Sequence, residues 1–324
     1  MTLYIHTDMA SPIKHLQVVV ADCDEPAPGI KRIVLADQEH WRLPAFRPGA
    51  HIDIHLGGGL VRTYSLCNAP SDDRRYVVAV KLEAAGRGGS SFIHQELRSG
   101  TTIGVSVPRG GIEVHPTAMN IFVAGGIGVT PFLSAIRALE EAGATNYVLH
   151  WASMGEPTLL DMIRPAFEAG RVVLYNTLHA PPPDIDGIIQ SHGDRAKAFC
   201  CGPSGMLDAF EVATADWPSE RKHVERFVAP KPPAPLNAIP YTVVLSKSGR
   251  EEKVLPEVGL LATLEAMNAD ISVSCAGGIC GACRTRWLEG PPIHHDRVLS
   301  PEERHHEVIV CVAECAGSRL VLDI

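Results

Sequence analysis

Residues 274–283 read Ser274-Cys-Ala-Gly-Gly-Ile-Cys-Gly-Ala-Cys283 and place Cys275, Cys280 and Cys283 within nine residues; Cys311 follows after a gap of 27. Three thiolates on one tight loop and a fourth from elsewhere match the plant-type spacing in which four cysteine sulfurs hold a [2Fe-2S] cluster. Gly277, Gly278 and Gly281 allow turns with positive φ and close approach of N–H groups to sulfur. Zinc more usually takes two paired Cys-x-x-Cys or His-containing pairs, and only Cys280 and Cys283 are so paired. A Rieske centre needs histidine ligands, and no Cys-x-His pair occurs. Cys315 lies four residues past Cys311 and competes as fourth ligand, but spacing and the Cys311-Val312 context favour Cys311.

The chain around this loop has 324 residues, a length that suggests two or three domains. With 45% hydrophobic and 20% charged residues, each domain can bury a sizeable core. A net charge of −8 without Lys or Arg clusters argues against nucleic acid. No basic segment followed by a long apolar run opens the chain, and residues 120–133 are too short and glycine-rich to span a bilayer. A cytoplasmic, soluble monomer with reduced thiols is therefore expected.

From His15 to about Glu113, short alternating or apolar runs separated by Pro, Gly and Asp predict an antiparallel barrel or sandwich, with one serine-capped helix over 90–97. Around Pro116 the pattern changes to buried strands alternating with helices, which predicts a parallel sheet covered on both faces. Residues 229–240 hold five prolines and read as a semi-rigid linker. The expected domains are thus 1–113, 114–228 and, after that linker, 241–324.

Two further regions carry chemistry. Arg62, Thr63, Tyr64 and Ser65 bring a cation, an aromatic ring and hydroxyls together on one strand; an ordinary barrel strand would read the same way. The turn Gly86-Arg-Gly-Gly-Ser90, with Gly88, Gly89 and Ser90 opening a helix, would suit a phosphate together with Arg62, Arg87 and Lys81. In the second region the turn with Gly125, Gly126, Gly128, Thr130 and Pro131 joins a buried strand to a helix. Its glycines would let a dinucleotide pyrophosphate approach, although the G-x-G-x-x-G fingerprint is missing. Cys201, Gly202 and Pro203 end another strand at the same sheet edge, where Cys201 either faces a nicotinamide ring or packs as an inert core thiol.

Taken in this order and followed by the cysteine loop, these motifs resemble the phthalate dioxygenase reductase family, over roughly residues 12–324. The resemblance implies a multidomain chain: an antiparallel β-barrel flavin domain, an α/β parallel-sheet nicotinamide domain and an α+β plant-type ferredoxin domain. It implies FMN on the R-x-Y-S motif of Arg62, Tyr64 and Ser65, with the G-R-G-G-S turn at 86–90 speaking for FMN over FAD. It places nicotinamide on Gly125–Pro131 and Cys201–Pro203, and Phe227, in an E-x-F context with Glu225, near the flavin. Ser65 would hydrogen-bond the flavin, while Thr130 and Cys201 would frame the nicotinamide. Ser153-Met154-Gly155 offers no arginine for a 2′-phosphate, which favours NADH over NADPH unless a basic residue such as Arg195 or Lys197 arrives from elsewhere.

The implied function is the reductase component of a multicomponent aromatic-ring oxygenase or O-demethylase, passing electrons from NADH to FMN to [2Fe-2S] and on to a terminal, Rieske-type oxygenase. The cluster is then expected near the surface. From Tyr241 onward the chain has eight Lys and Arg against twelve Asp and Glu, which favours a partner with a basic patch. A stand-alone NAD(P)H quinone reductase is the alternative within enzymes. An iron-sulfur redox sensor would leave the flavin and nicotinamide motifs without a role.

Overall fold

The structure is a computed structural model and describes residues 16–57, 60–84, 86, 88–192, 195–227 and 239–324. Residues 1–15, Arg87 and all but the last two residues of the expected linker 229–240 lie outside the described residues.

Alternation builds the first sheet from β1 (Leu16–Ala27), β2 (Ile30–Ala36), β3 (His51–His55), β4 (Val61–Ser65), β5 (Arg75–Lys81) and, after helix α1 (Gly89–Glu96), β6 (Thr102–Val105). Along β2, for example, Lys31, Ile33 and Leu35 are buried while the residues between them are half-buried, the two-residue period of a pleated strand. The order is β4-β3-β6-β1-β2-β5, antiparallel throughout. Just past β4 the Cys67 N–H donates to the Val77 carbonyl of β5 at 2.7 Å, which draws the outer strands together towards a barrel. Helix α1 is capped by Gly88 at φ 78 and not by a serine. Its far end is held by the buried Lys31 ammonium, which donates to the carbonyls of Ile93, His94 and Leu97, groups a helix C-terminus leaves unpaired.

The second sheet is parallel: β7 (Asn120–Gly125), β8 (Tyr147–Ser153), β9 (Val172–Asn176), β10 (Lys197–Cys201) and β11 (Lys222–Glu225) lie in the order β11-β10-β7-β8-β9. Every residue of β7 is buried, as expected of a strand covered on both faces. Helices α2 (Thr130–Glu141), α3 (Arg164–Glu168), α4 (Ile185–Gln190) and α5 (Ser204–Ala213) connect the strands. Cys67, Val77, Ala79 and Ile112 of the first sheet's unit share one core with Phe122, Phe132, Trp151 and Phe199 of the second.

The third unit contains β12 (Tyr241–Leu245), β13 (Glu251–Val254), α6 (Gly259–Ala266), β14 (Arg284–Glu289), β15 (Pro292–Ile293), β16 (Glu307–Ile309), β17 (Glu314–Cys315) and β18 (Arg319–Leu322). Its main sheet runs β13-β12-β18-β14-β16, with β12 parallel to β18. Its core, including Val243, Leu264, Val308 and Leu320, is its own. Among the described residues no helix is long and apolar enough to cross a membrane.

Candidate functional site

Strand order fixes where ligands can enter. With β7 central, β8 and β9 on one side and β10 and β11 on the other, the direction of winding reverses between β7 and β10. A crevice opens beyond the carboxyl ends of the strands at such a reversal. The two turns there nearly touch, because they are made of glycine. A Cβ on Gly128 would fall 2.3 Å from the Cys201 carbonyl oxygen, one on Gly125 2.5 Å from Pro203 Cδ, and one on Gly202 2.7 Å from Met206 Sδ. Gly126, at φ 55, has open space where a Cβ would point, and Trp151 Nε1 holds its carbonyl at 3.0 Å. Bare backbone facing open space is what a pyrophosphate needs to come close.

One continuous cleft of about 1010 Å³ runs from this edge to the first sheet and the cysteine loop. Arg62, Thr63, Tyr64, Ser65, Lys81, Gly89 and Ser90 line it from the first unit. Gly125, Gly126, Gly128, Thr130, Gly202, Pro203 and Phe227 line it from the second, and Ser274, Cys275 and Cys280 from the third. Gly88 is absent from the lining and serves as the α1 cap, while Pro131 is buried in the first turn of α2. Cys201 is 1% exposed, belongs to the core that holds Phe132 and Phe199, and is not among the residues that line the cleft. Burial pushes its thiol well above the ordinary range, while its carbonyl abuts the Gly128 turn.

At the first sheet the cleft wall combines charge with absent side chains. A Cβ on Gly89 would fall 2.4 Å from Arg62 Cγ, so the guanidinium stem occupies the space that glycine leaves at the start of α1. No acidic residue sits in that first turn, and the combination fits a phosphate group. Ser90 Oγ accepts the Glu83 N–H at 3.0 Å and ties the turn down. Burial raises the Tyr64 phenol to about 12, against the pull of Arg62, so it stays neutral. Thr130 donates its hydroxyl to the Ile127 carbonyl at 3.0 Å, which steadies the glycine turn. Ser153 and Met154 line the far end. Arg195 and Lys197 do not: Arg195 lines a separate cavity, and Lys197 lies 3.7 Å from Glu113.

The cysteine loop lacks regular structure, and its path depends on left-handed residues. Gly278 and Gly281 both sit at φ 72, as expected, but the third such position is Ala276 at φ 54 and not Gly277. A Cβ on Gly278 would meet a Val312 methyl at 2.8 Å. The Gly277 N–H points at Cys275 Sγ at 3.4 Å and the Gly278 N–H at Cys311 Sγ at 3.3 Å. Hydrogen bonds of this kind favour the thiolate and help set a cluster's potential.

The sulfurs themselves stand close together: Cys275 neighbours Cys280 and Cys311, and Cys311 also neighbours Cys283. Cys280 is pushed far up by its hydrogen bond with Cys275 and by burial. For Cys311 the Cys275 sulfur pulls down, but the Cys283 sulfur and burial push harder, leaving it at about 12. Such thiols ionise together only with positive charge between them, which metal ions supply. Four neighbouring sulfurs of this kind would suit the two irons of a [2Fe-2S] cluster. Cys315 stands apart, donating to the Arg319 carbonyl at 3.3 Å and accepting the Gly317 N–H at 3.4 Å. The loop is also less exposed than expected. Cys280 and Cys283 are buried, Cys275 and Cys311 are half-buried, and Cys275 and Cys280 face the cleft.

Three residues escaped the sequence reading. His51 is half-buried and lines the cleft, and its buried Nε2 has no hydrogen-bond partner; desolvation, then the nearby Arg109 charge, lower its pKa. Asp53 and Arg109 form an ion pair at 2.6 Å beside it. The available signal was the alternation His51-Ile-Asp53-Ile-His55, which sends three polar side chains to one face of β3.

Comparison with known proteins places part of the third unit in a known family. Residues 243–316 match the family model of the 2Fe-2S iron-sulfur cluster binding domain. The chain is 36% identical to a tetrachlorobenzoquinone reductase of Sphingobium chlorophenolicum, over 98% of this chain and all of that one. It is 33% identical to a phthalate dioxygenase reductase of Burkholderia cepacia, over 95% of this chain and 97% of that one. Among solved structures, a phthalate dioxygenase reductase described as a modular structure for electron transfer from pyridine nucleotides to [2Fe-2S] matches with TM-score 0.70 and 31% identity, covering 96% of this chain and 98% of that one.

Proposed function

Since the chain belongs to the phthalate dioxygenase reductase family, we propose that it is the reductase component of a multicomponent oxygenase, taking electrons from NADH through FMN and a [2Fe-2S] cluster to a terminal oxygenase. The observation that carries this reading is the shared cleft, in which the phosphate-type pocket at Arg62 and Gly89, the glycine crevice at Gly125–Gly128 and the ligands Cys275 and Cys280 face one another. When bound, the nicotinamide supplies a hydride, the flavin divides the electron pair into single electrons, and the cluster carries them one at a time.

The chain's own part is binding and alignment. Arg62 and the α1 amides hold the FMN phosphate, Ser65 bonds the flavin ring, and Phe227, 45% exposed at the cleft, covers it. Gly125, Gly126 and Gly128 receive the dinucleotide phosphates, with Gly202 and Pro203 as the opposite wall. Cys275, Cys280, Cys283 and Cys311 hold the irons. None need act as acid or base, because hydride transfer mainly requires positioning. Ser153 and Met154 provide no cation for a 2′-phosphate, hence NADH. The terminal partner is a Rieske-type oxygenase of aromatic-ring or O-demethylating type.

An anaerobic NADH titration of the purified protein tests the scheme. Flavin bleaching and cluster bleaching should together consume about three electrons per chain, two on flavin and one on the cluster; zinc in place of iron would overturn it. Gly89→Ala should push Arg62 aside and weaken flavin retention about tenfold, equivalent to about 1.4 kcal/mol, read as flavin released on dilution. Unchanged retention would remove the phosphate from this turn.

The likeness to a tetrachlorobenzoquinone reductase supports a second reading, direct reduction of a quinone by the protein alone. Efficient NADH oxidation with a quinone and no terminal component would favour it.

A further inference from the structure

Two of the hydrogen bonds between the cluster loop and the first unit stand close to the cleft-facing cysteines. Arg109 Nε donates to the Cys280 carbonyl at 3.0 Å, and the Thr63 hydroxyl lies 2.8 Å from Ser274 Oγ. Both bonds bracket Cys275 and Cys280, the two ligands that face the cleft. Behind them stands one network of the first unit. Arg109 Nη2 donates to Asp53 Oδ1 at 2.6 Å, Nη1 donates to Ser106 Oγ at 3.1 Å, and Thr63 donates to the same Asp53 oxygen at 2.6 Å. Asp53 is 4% exposed, and the backbones of Arg109 and His51 exchange two hydrogen bonds of 3.0 Å. A buried carboxylate thus fixes a planar guanidinium whose remaining donor points at the backbone of a cluster ligand, a task for which the forked donors of Arg suit and the point charge of Lys does not.

We infer that Arg109, held by Asp53 and Ser106, is a positioning residue that docks the cluster loop on the barrel and so sets how fast the cluster is reduced. The inference rests on the reductase reading above. In the step it serves, NADH has already given two electrons and a proton to the flavin. One electron then leaves the reduced flavin and reduces the cluster by one, and the flavin proton passes to solvent. Arg109 touches neither the transferred hydride nor the flavin phosphate pocket; its effect lies in the distance and rigidity between the two groups.

The test uses the full holo-protein and the variants Arg109→Gln, Arg109→Lys and Ser274→Ala, mixed anaerobically with NADH. The flavin phase should stay within about twofold of wild type, while cluster reduction slows about tenfold or more in both Arg109 variants, the scale on which small misplacements act in a positioned site. Ser274→Ala, which removes the Thr63–Ser274 bond without exposing Asp53, should slow the same phase to a lesser degree. Amide hydrogen exchange across 274–281 should rise in all three variants. Unchanged cluster reduction, or equal slowing of both phases, would overturn the inference, since a merely structural role would not separate them. Should Arg109→Gln fail to fold, Ser274→Ala and its loop exchange decide the matter. Wild-type protein whose flavin is not reduced by NADH would overturn the parent reading instead.

Discussion

Cys280→Ser should leave NADH-driven flavin reduction intact and stop delivery beyond the flavin. Its thiol faces the cleft and is paired with Cys275, so a hydroxyl there removes one of four sulfur ligands on the side where electrons enter. Loss of cluster absorbance and at least about a 100-fold fall in reduction of the terminal acceptor are expected, a larger effect than the loss of an outer-shell partner of a metal site produces. Cys315→Ser supplies the contrast. Its sulfur serves the Arg319 carbonyl and the Gly317 amide, so the cluster should persist, with a stability loss of about 1 kcal/mol in thermal melts. A Cys315→Ser protein without iron would reassign the fourth ligand.

Gly128→Ala should damage the nicotinamide side as severely as Cys280→Ser damages the exit side. Its methyl would sit 2.3 Å from the Cys201 carbonyl oxygen and 2.7 Å from that carbonyl carbon. Both obstacles are backbone, and the conflict is relieved only by moving the β7 and β10 turns apart. Overpacking of this type costs about 1–3 kcal/mol, measurable as a lowered melting temperature. Flavin reduction by NADH should slow at least about tenfold, because the crevice wall itself moves. Gly126→Ala is the companion variant: nothing obstructs its methyl, and the left-handed φ of 55 alone costs about 1 kcal/mol. Wild-type flavin reduction in Gly128→Ala would detach this crevice from nicotinamide binding.

The cysteine loop was legible because its chemistry is contiguous: three ligands, two of the turns and both amide-to-sulfur contacts lie within residues 274–283 or reach only to Cys311. The R-x-Y-S strand and the glycine turns were legible for the same reason, and Arg62 to Ser65 and Gly125 to Gly128 do line one cleft. Cys201 shows where local reading stops. In a sheet covered on both faces, alternation separates one core from another and not core from solvent. Cys200 packs with Ile188 and Phe210 on one side, and Cys201 packs with Phe132 on the other. Helix α4, with six residues, and strand β11, with four, were too short to show a period. Asp53 and Arg109 are 56 residues apart and meet because the chain beyond β6 runs on beside β3 and bridges Arg109 to His51. Ala276 in a left-handed conformation was hidden by the three glycines around it, which claim such positions by default.

The distribution of cores bears on how such a chain can be rebuilt. The first two units share buried side chains such as Val77 and Phe122, so they unfold and diverge as one block. The third keeps Val243, Leu264 and Leu320 to itself, and hydrogen bonds such as that from Arg109 to the Cys280 carbonyl join it to the first. A unit with a private core and a polar seam is an interchangeable part: it can be replaced by another carrier, or joined to a different neighbour, while the paired flavin and nucleotide folds remain whole.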